Sequence, residues 1–268
     1  MSDVELCIDR HVAVITINRP NRANALSYDM LTSSLPHAWQ TIRDNDDVRA
    51  VVVTSSPGRF FCSGMDLTDP HFAQVAIGLL ATPPLLATGR QNDVWKPIVT
   101  AVDGACLGGG LMFISDSDLV VASQEATFGN PAVSNGQVAP VGPAVLARTG
   151  SFRAALRMTL LGRHEALTAI EALQADLVSE IVPTTVDPRQ RATELASLIA
   201  EGPPEGVQQS LRAVWSALDL SVEMARTTAY ELSAKWAREP DAARGLAAFH
   251  ARYRAPEAVR PKREQKEQ

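Results

Sequence analysis

Near the start of the chain, apolar and polar positions alternate in "VELCID" and again in "HVAVITIN". That is the pattern of strands covered on one face, and the short break between them predicts a hairpin. "SYDMLTSSLPHAWQTIRDN" shows helical spacing with Ser27 as its cap, and Pro36 inside it should bend or split the helix. "VRAVVVTSS" and "KPIVTAVDG" are nearly continuous apolar runs, as in strands buried on both faces. "GGGLMFISDS" opens a further helix and "DLVVAS" is a further strand. The mixed stretch over 69–93, with Pro83-Pro84, is expected to form a variable lid. From about residue 142 helical spacing dominates, interrupted by the short strand "LVSEIVP".

Strands alternating with helices predict an α/β fold whose parallel sheet is built from βαβ units. The expected organisation is a core over 1–200, a helical region over 201–255, and a polar, frayed tail over 256–268. Ligands in such folds sit beyond the carboxyl ends of the strands. Two glycine-containing loops, "RFFCSGMDL" and "ACLGGGLMF", directly follow predicted strands and should lie side by side. Glycine lets backbone N–H groups come close to a ligand. Two such groups aimed at one oxygen make an oxyanion hole, which stabilises an enolate or a tetrahedral adduct. Taken singly, each loop is better explained by tight helix-on-strand packing.

Composition narrows the classes. The 268 residues are 46% hydrophobic and 21% charged, ordinary for a globular enzyme with a core. A net charge of -5 argues against nucleic acid or an anionic membrane as the main partner. Three cysteines, Cys7, Cys62 and Cys106, fit no metal or disulfide framework. The N-terminus lacks a signal pattern and no run of about 18 apolar residues exists, so a cytoplasmic location without a membrane span is expected.

The ordered motifs resemble the enoyl-CoA hydratase/isomerase (crotonase) family. They are "ITINRPNRANALS", "RFFCSGMDL", "KPIVTAVDGACLGGGLMFISDSDLVVASQEATFGNP" and "LLGRHEALTAIEALQADLVSEIVP", spread over about residues 4–255. The resemblance implies the crotonase fold: repeated ββα units in a spiral, followed by a C-terminal helical trimerisation region. It implies a coenzyme A thioester as substrate or ligand with no permanently bound cofactor or metal, and a homotrimer or hexamer. Carried over by position, the backbone N–H groups of Met65 and Gly109 would be the oxyanion donors. Arg22, Ala23 and Ala25, with Ser63, Gly64, Met65, Asp66 and Leu67, would line the nucleotide and pantetheine path. Gly108, Gly109, Met112 and Ala132 would border the acyl end.

The departures from the family pattern lie at the acid and base. Hydratases of this family use two glutamates, and those positions here hold Met112 and Ala132. Related isomerases place an aspartate where this chain has Pro140. None of the three transfers a proton. Asp69 and His71 are the alternative acid/base candidates, His71 because histidine titrates near neutrality. Asp116 shares a helix face with Met112 but is expected to meet solvent or the following loop. Asn130, Ser134, Asn135 and Gln137 surround the second vacant position and either hold water or a polar acyl group or serve the turn. Tyr230 and Glu231 lie in the C-terminal helices, where some members of the family contribute a catalytic residue, but read rather as a solvated face, and Asp66 and Asp118 read as structural. Cys62 and Cys106 raise a thiol-nucleophile reading beside the commoner one of packing.

Three functions follow: acyl-CoA chemistry other than hydration, acyl-CoA binding without turnover, or hydration with a displaced acid and base.

Overall fold

The computed structural model describes residues 2–76, 86–138, 141–240, 242–243, 245–247 and 250. Strands β1 (Val4–Asp9) and β2 (Val12–Ile17) form the expected hairpin. The next helical stretch is split as Pro36 demands. Met30–Ser34 is a π-helical turn, and α1 (Leu35–Asp44) starts afresh with the proline in its first turn, where no N–H is needed. The Ser27 hydroxyl accepts from Met30 N at 3.3 Å.

From there the chain alternates between two sheets. Strand β3 (Ala50–Ser55) is followed by β4 (Phe60–Cys62) and α2 (Pro70–Ala76). Strand β5 (Ile98–Val102) is followed by β6 (Ala105–Leu107), a 3-10 turn at Gly108–Gly110, and α3 (Leu111–Ser115). Strands β7 (Leu119–Ser123) and β8 (Thr127–Gly129) repeat the step. Next come α4 (Val141–Thr149), α5 (Phe152–Leu161), β9 (Leu167–Thr168), α6 (Ala169–Gln174), β10 (Glu180–Val182) and α7 (Pro188–Ala200).

One sheet runs β1-β2-β3-β5-β7-β10 and the other β4-β6-β8-β9. The passes β3–β4, β5–β6 and β7–β8 each add a strand to both, which is the ββα spiral of the crotonase fold. The periodicity reading of one parallel sheet from βαβ units is therefore corrected. It overlooked the three-residue strands of the second sheet, which are too short to show a period.

The continuous apolar runs behave as expected. On β3, Val51 and Val53 face the larger core with Trp39, Phe61, Phe113 and Phe128, while Ala50 and Val52 face Ala192, Ala196 and Ala200 of α7. Burial on both faces is why the run lacks polar positions.

The chain divides into two compact units, residues 1–202 and 203–268. In the second, α8 (Pro204–Ser216) packs on α9 (Val222–Trp236), with Gly206 against the Trp236 indole. Val214, Val222, Met224 and Tyr230 are exposed. The expected tail over 256–268, the lid residues 77–85 and Pro140 lie outside the described residues. Among the described residues no helix is long and apolar enough to cross a membrane.

Candidate active site

The two glycine loops leave neighbouring parallel strands. In β4 and β6, Cys62 pairs with Cys106, so the segments that follow run side by side. Gly64 has φ +104, a conformation L side chains rarely adopt. A Cβ there would lie 3.2 Å from both Gly109 N and Leu107 O, so the close approach of the loops also requires glycine. On the other side, a Cβ on Gly109 would come within 3.4 Å of Met65 N. The two backbone nitrogens named by the family pattern thus stand on closely apposed loops.

A third segment fixes the first loop. Leu26 N donates to Gly64 O at 2.8 Å and Asp66 N to Leu26 O at 2.9 Å, a parallel bridge between Leu26 and Met65. In such a bridge the N–H of Met65 points away from Leu26. Gly109 stands in the first turn of its helix, where the backbone offers an N–H no acceptor. Neither N–H has a hydrogen-bond partner among the described residues. Two such donors on apposed loops can bind a single oxygen that carries negative charge where both point at it.

The turn that supports this bridge depends on residues to which the sequence reading gave no role. Asn24 is buried, with φ 51. Its Nδ2 donates to Phe60 O at 2.8 Å and its Oδ1 accepts from Arg19 N at 2.9 Å. Arg19 donates to Ala25 O at 2.6 Å and pairs with Asp66 at 3.1 Å. The signal available was asparagine's tolerance of left-handed backbone inside a turn-rich segment. Ser63 N joins the same turn, donating to Ala23 O at 3.1 Å. Ala25 and Asp66 are buried, Ala23, Ser63 and Met65 half-buried, and Arg22 and Leu67 exposed. The structure thus gathers the residues assigned to the CoA path along one edge. Bonds from the Thr68 hydroxyl, with Arg19, hold the Asp66 carboxyl below its usual range against burial. Asp118 is structural too, accepting from Ile98 N at 2.7 Å and from Arg90 at 2.6 Å.

Asp69 and His71 are brought together at the start of α2. Asp69 Oδ1 lies 3.0 Å from His71 Nδ1 and accepts from His71 N, while Oδ2 accepts from Tyr28 N at 2.9 Å. Burial works to raise the Asp69 carboxyl, but these bonds outweigh it and hold it below the ordinary value. The His71 ring stacks on Tyr28 with centroids 5.1 Å apart.

Met112 is buried in α3, and Ala132 is half-buried at the start of a turn. Around Ala132 the polar residues mostly serve that turn. Asn135 N and Gln137 N donate to Ala132 O, and Ser134 Oγ accepts from Arg163 N at 3.0 Å. Asn130 differs. It is fully buried, and its Nδ2 has no hydrogen-bond partner among the described residues. Asn130 also lines a cleft of about 660 Å³ with Leu107, Gly129 and Pro131.

Two readings change. Asp116 does not meet solvent: it is 8% exposed and accepts a bond from the Thr88 hydroxyl. Burial raises its carboxyl above the usual value, outweighing the Thr88 bond and the charge of Arg90. The thiol-nucleophile reading fails because Cys62 and Cys106 are buried side by side, and burial pushes the Cys62 thiol up to about 12. A thiol that holds its proton at neutral pH is no nucleophile. Tyr230 lies exposed on α9.

A family model for enoyl-CoA hydratase/isomerase matches residues 8–256. An (E)-benzylidenesuccinyl-CoA hydratase of Thauera aromatica is 33% identical over 225 residues, 82% of this chain and 85% of that protein. A 2,3-dehydroadipyl-CoA hydratase of Escherichia coli K12 is 30% identical over 250 residues, 93% of this chain and 96% of that one. The crystal structure of an enoyl-CoA hydratase/isomerase from Mycobacterium paratuberculosis matches with a TM-score of 0.81 at 33% identity, covering 94% of this chain and 96% of that one. With the family model spanning nearly the whole sequence and the two-sheet spiral in place, the chain belongs to the enoyl-CoA hydratase/isomerase family.

Proposed function

We propose that this protein binds a coenzyme A thioester, holds its carbonyl oxygen between the N–H groups of Met65 and Gly109, and catalyses a reaction other than two-glutamate hydration. The observation that carries this is the pair of partnerless backbone donors on closely apposed loops, in a chain of this family. Thioester polarisation stabilises charge on the carbonyl oxygen, and it serves isomerisation, decarboxylation, C–C cleavage and thioester hydrolysis alike. Hydration needs a base for water and an acid for the α-carbon as well. Met112 and Ala132 supply neither, and each positioned proton-transfer group is worth about 10²–10⁴-fold.

The proton work then falls to other groups. The Asp69–His71 couple lies in the loop that carries Met65. The unpartnered Asn130 amide stands two residues before Ala132 and suits a water or an acyl oxygen. A second reading, acyl-CoA binding without turnover, is favoured by the same two vacant positions. The family's trimeric or hexameric assembly goes with either reading, and the exposed apolar residues of α8 and α9 suit such a contact.

The test pairs turnover with binding. Crotonyl-CoA and longer enoyl-CoAs are followed by loss of enoyl absorbance, beside a calorimetric titration. The absorption band of a conjugated aryl-enoyl-CoA reports carbonyl polarisation without turnover, moving to longer wavelength on binding. Binding with a red shift and no fast hydration is expected. Fast, saturable hydration refutes the non-hydratase reading, and absence of binding refutes thioester recognition altogether. Where turnover is found, His71→Ala and Asp69→Asn show whether the couple moves the proton.

A further inference from the structure

The cleft of about 660 Å³ that Asn130 lines runs over the β4-β6-β8-β9 sheet. Cys106 of β6 and Phe128 of β8 are buried in the core, so their neighbours Ala105, Leu107, Thr127 and Gly129 face the other way, towards the cleft. Strands β6 and β8 are parallel, which gives the cleft two distinct ends. Asp103 and Glu125 stand where these strands begin, and Asn130 and Pro131 where they finish. Strand β9 is antiparallel, with Leu167 opposite Phe128. Arg163 and Glu165, which precede β9 and line the cleft, therefore come to the Asn130 end. The bond from Arg163 N to Ser134 Oγ, 3.0 Å, ties the two segments together there.

Donors outnumber acceptors at that end. Asn130 Oδ1 accepts from Ala132 N at 3.4 Å, but Nδ2 of this fully buried side chain has no partner among the described residues. Arg163 is exposed at the rim, and among the described residues its guanidinium forms no hydrogen bond or ion pair. Glu165 is held by two bonds from the Arg157 guanidinium. A buried N–H without an acceptor costs stability, and a leucine of similar size would fill the position without that cost. A cleft of a few hundred Å³ on which a few polar groups converge is the usual form of a small-molecule site.

We propose that this end of the cleft binds a carboxylate group, which accepts from the Asn130 amide and from the Arg163 guanidinium. Arginine matches the two oxygens of a carboxylate, and such charge-assisted bonds are the strong ones. The remaining charges of the cleft, Arg59 against Asp103 and Glu125, do not favour a second negative charge, so a phosphate dianion fits less well. The carboxylate has two sources. One is a free carboxylic acid. The other is the far end of an acyl group whose thioester is held at Met65 and Gly109, and only this source rests on the thioester reading above.

Calorimetry on the full-length protein compares adipate with uncharged adipamide, and adipoyl-CoA with hexanoyl-CoA. In at least one pair the carboxylate is expected to bind about tenfold more tightly than its uncharged counterpart. Arg163→Gln and Asn130→Leu should each abolish that preference. Arg153→Gln, which changes an exposed arginine outside the cleft, should keep it. Asn130→Leu should also raise the melting temperature, because it removes a buried donor that has no partner. A preference for adipate alone supports a site for a free acid, and a preference for adipoyl-CoA supports a site for the end of the acyl chain. Equal binding within both pairs, a preference that survives both variants, inorganic phosphate competing as well as the carboxylate, or a lower melting temperature for Asn130→Leu overturns the proposal. If neither ester binds, the thioester reading falls and the adipate arm alone decides this one.

Discussion

Gly109→Ala separates binding chemistry from stability. The backbone at Gly109 is helical, so alanine fits its conformation and gains up to about 1 kcal/mol of helix propensity. Against this, the new Cβ would sit 3.2 Å from Met65 Sδ and 3.5 Å from Leu26 Cδ1, both ends of flexible side chains. The terms nearly cancel, so the melting temperature should shift by no more than about 2–4 °C. The same Cβ stands 3.4 Å from Met65 N and narrows the gap where an oxygen must sit. Losing one oxyanion donor costs about 2.7–4 kcal/mol, or about 10²–10³ in rate. Gly64→Ala is the contrast. Its φ of +104 and its 3.2 Å approach to two backbone atoms cannot relax, and it should cost at least about 1–2 kcal/mol of stability as well. Scanning fluorimetry and the aryl-enoyl-CoA red shift read the two effects independently. A Gly109→Ala protein that folds normally and still produces the full red shift would refute the assignment of that N–H.

Other consequences can be checked with standard measurements. Arg19→Met takes the cation from the Asp66 carboxylate, which keeps its bonds from the Thr68 hydroxyl and N–H, and should cost about 1–2 kcal/mol at neutral pH, between the values for exposed and buried pairs. Because the folded state lowers the Asp66 pKa, that stability is present above its free value of 3.8 and is lost as pH falls through the lower folded value. The variant and parent melting temperatures should therefore converge in acid. Asp116→Asn runs the other way. Its folded pKa is raised, so the native state favours the proton, and that advantage is lost as pH rises through the folded value. The neutral amide should raise the melting temperature at pH 7, with the gain vanishing towards acid. Iodoacetamide at neutral pH should label Cys7 alone in the folded protein and all three cysteines once it is unfolded. A second adduct on the folded chain in the mass spectrum would contradict the burial of Cys62 and Cys106.

The parts of the fold legible in the sequence are those whose pattern repeats over six or more residues. The continuous run at β3 and the alternation at β1 and β2 are long enough to carry a period. Strands β4, β6 and β8 hold three residues each, with glycine at or just beyond their ends, so they read as loops. The proline in α1 announced a break but not that a π-helical turn would precede it. Met65 and Gly109 were named as donors by the resemblance to the family rather than by any period, and what the structure adds is that their two loops lie against each other. Asp116 was misjudged because a helical wheel assumes an outer face, and α3 has none. All five of its residues, Leu111 to Ser115, are buried, so its C-terminal end stops inside the protein. The Thr88 contact joins positions 28 apart, which no local pattern reports.

The pairing of Cys62 with Cys106 has an evolutionary consequence. Neighbouring strands sit about 4.7–4.9 Å apart whatever side chains they carry. The separation of the Met65 and Gly109 donors is thereby inherited from main-chain hydrogen bonding rather than from any functional side chain. Substitutions at Met112 and Ala132 can therefore accumulate without disturbing the proposed grip on an oxygen. A scaffold whose proposed anchoring geometry is set by main-chain pairing leaves the reactive groups free to change, so one reaction could be exchanged for another without refolding.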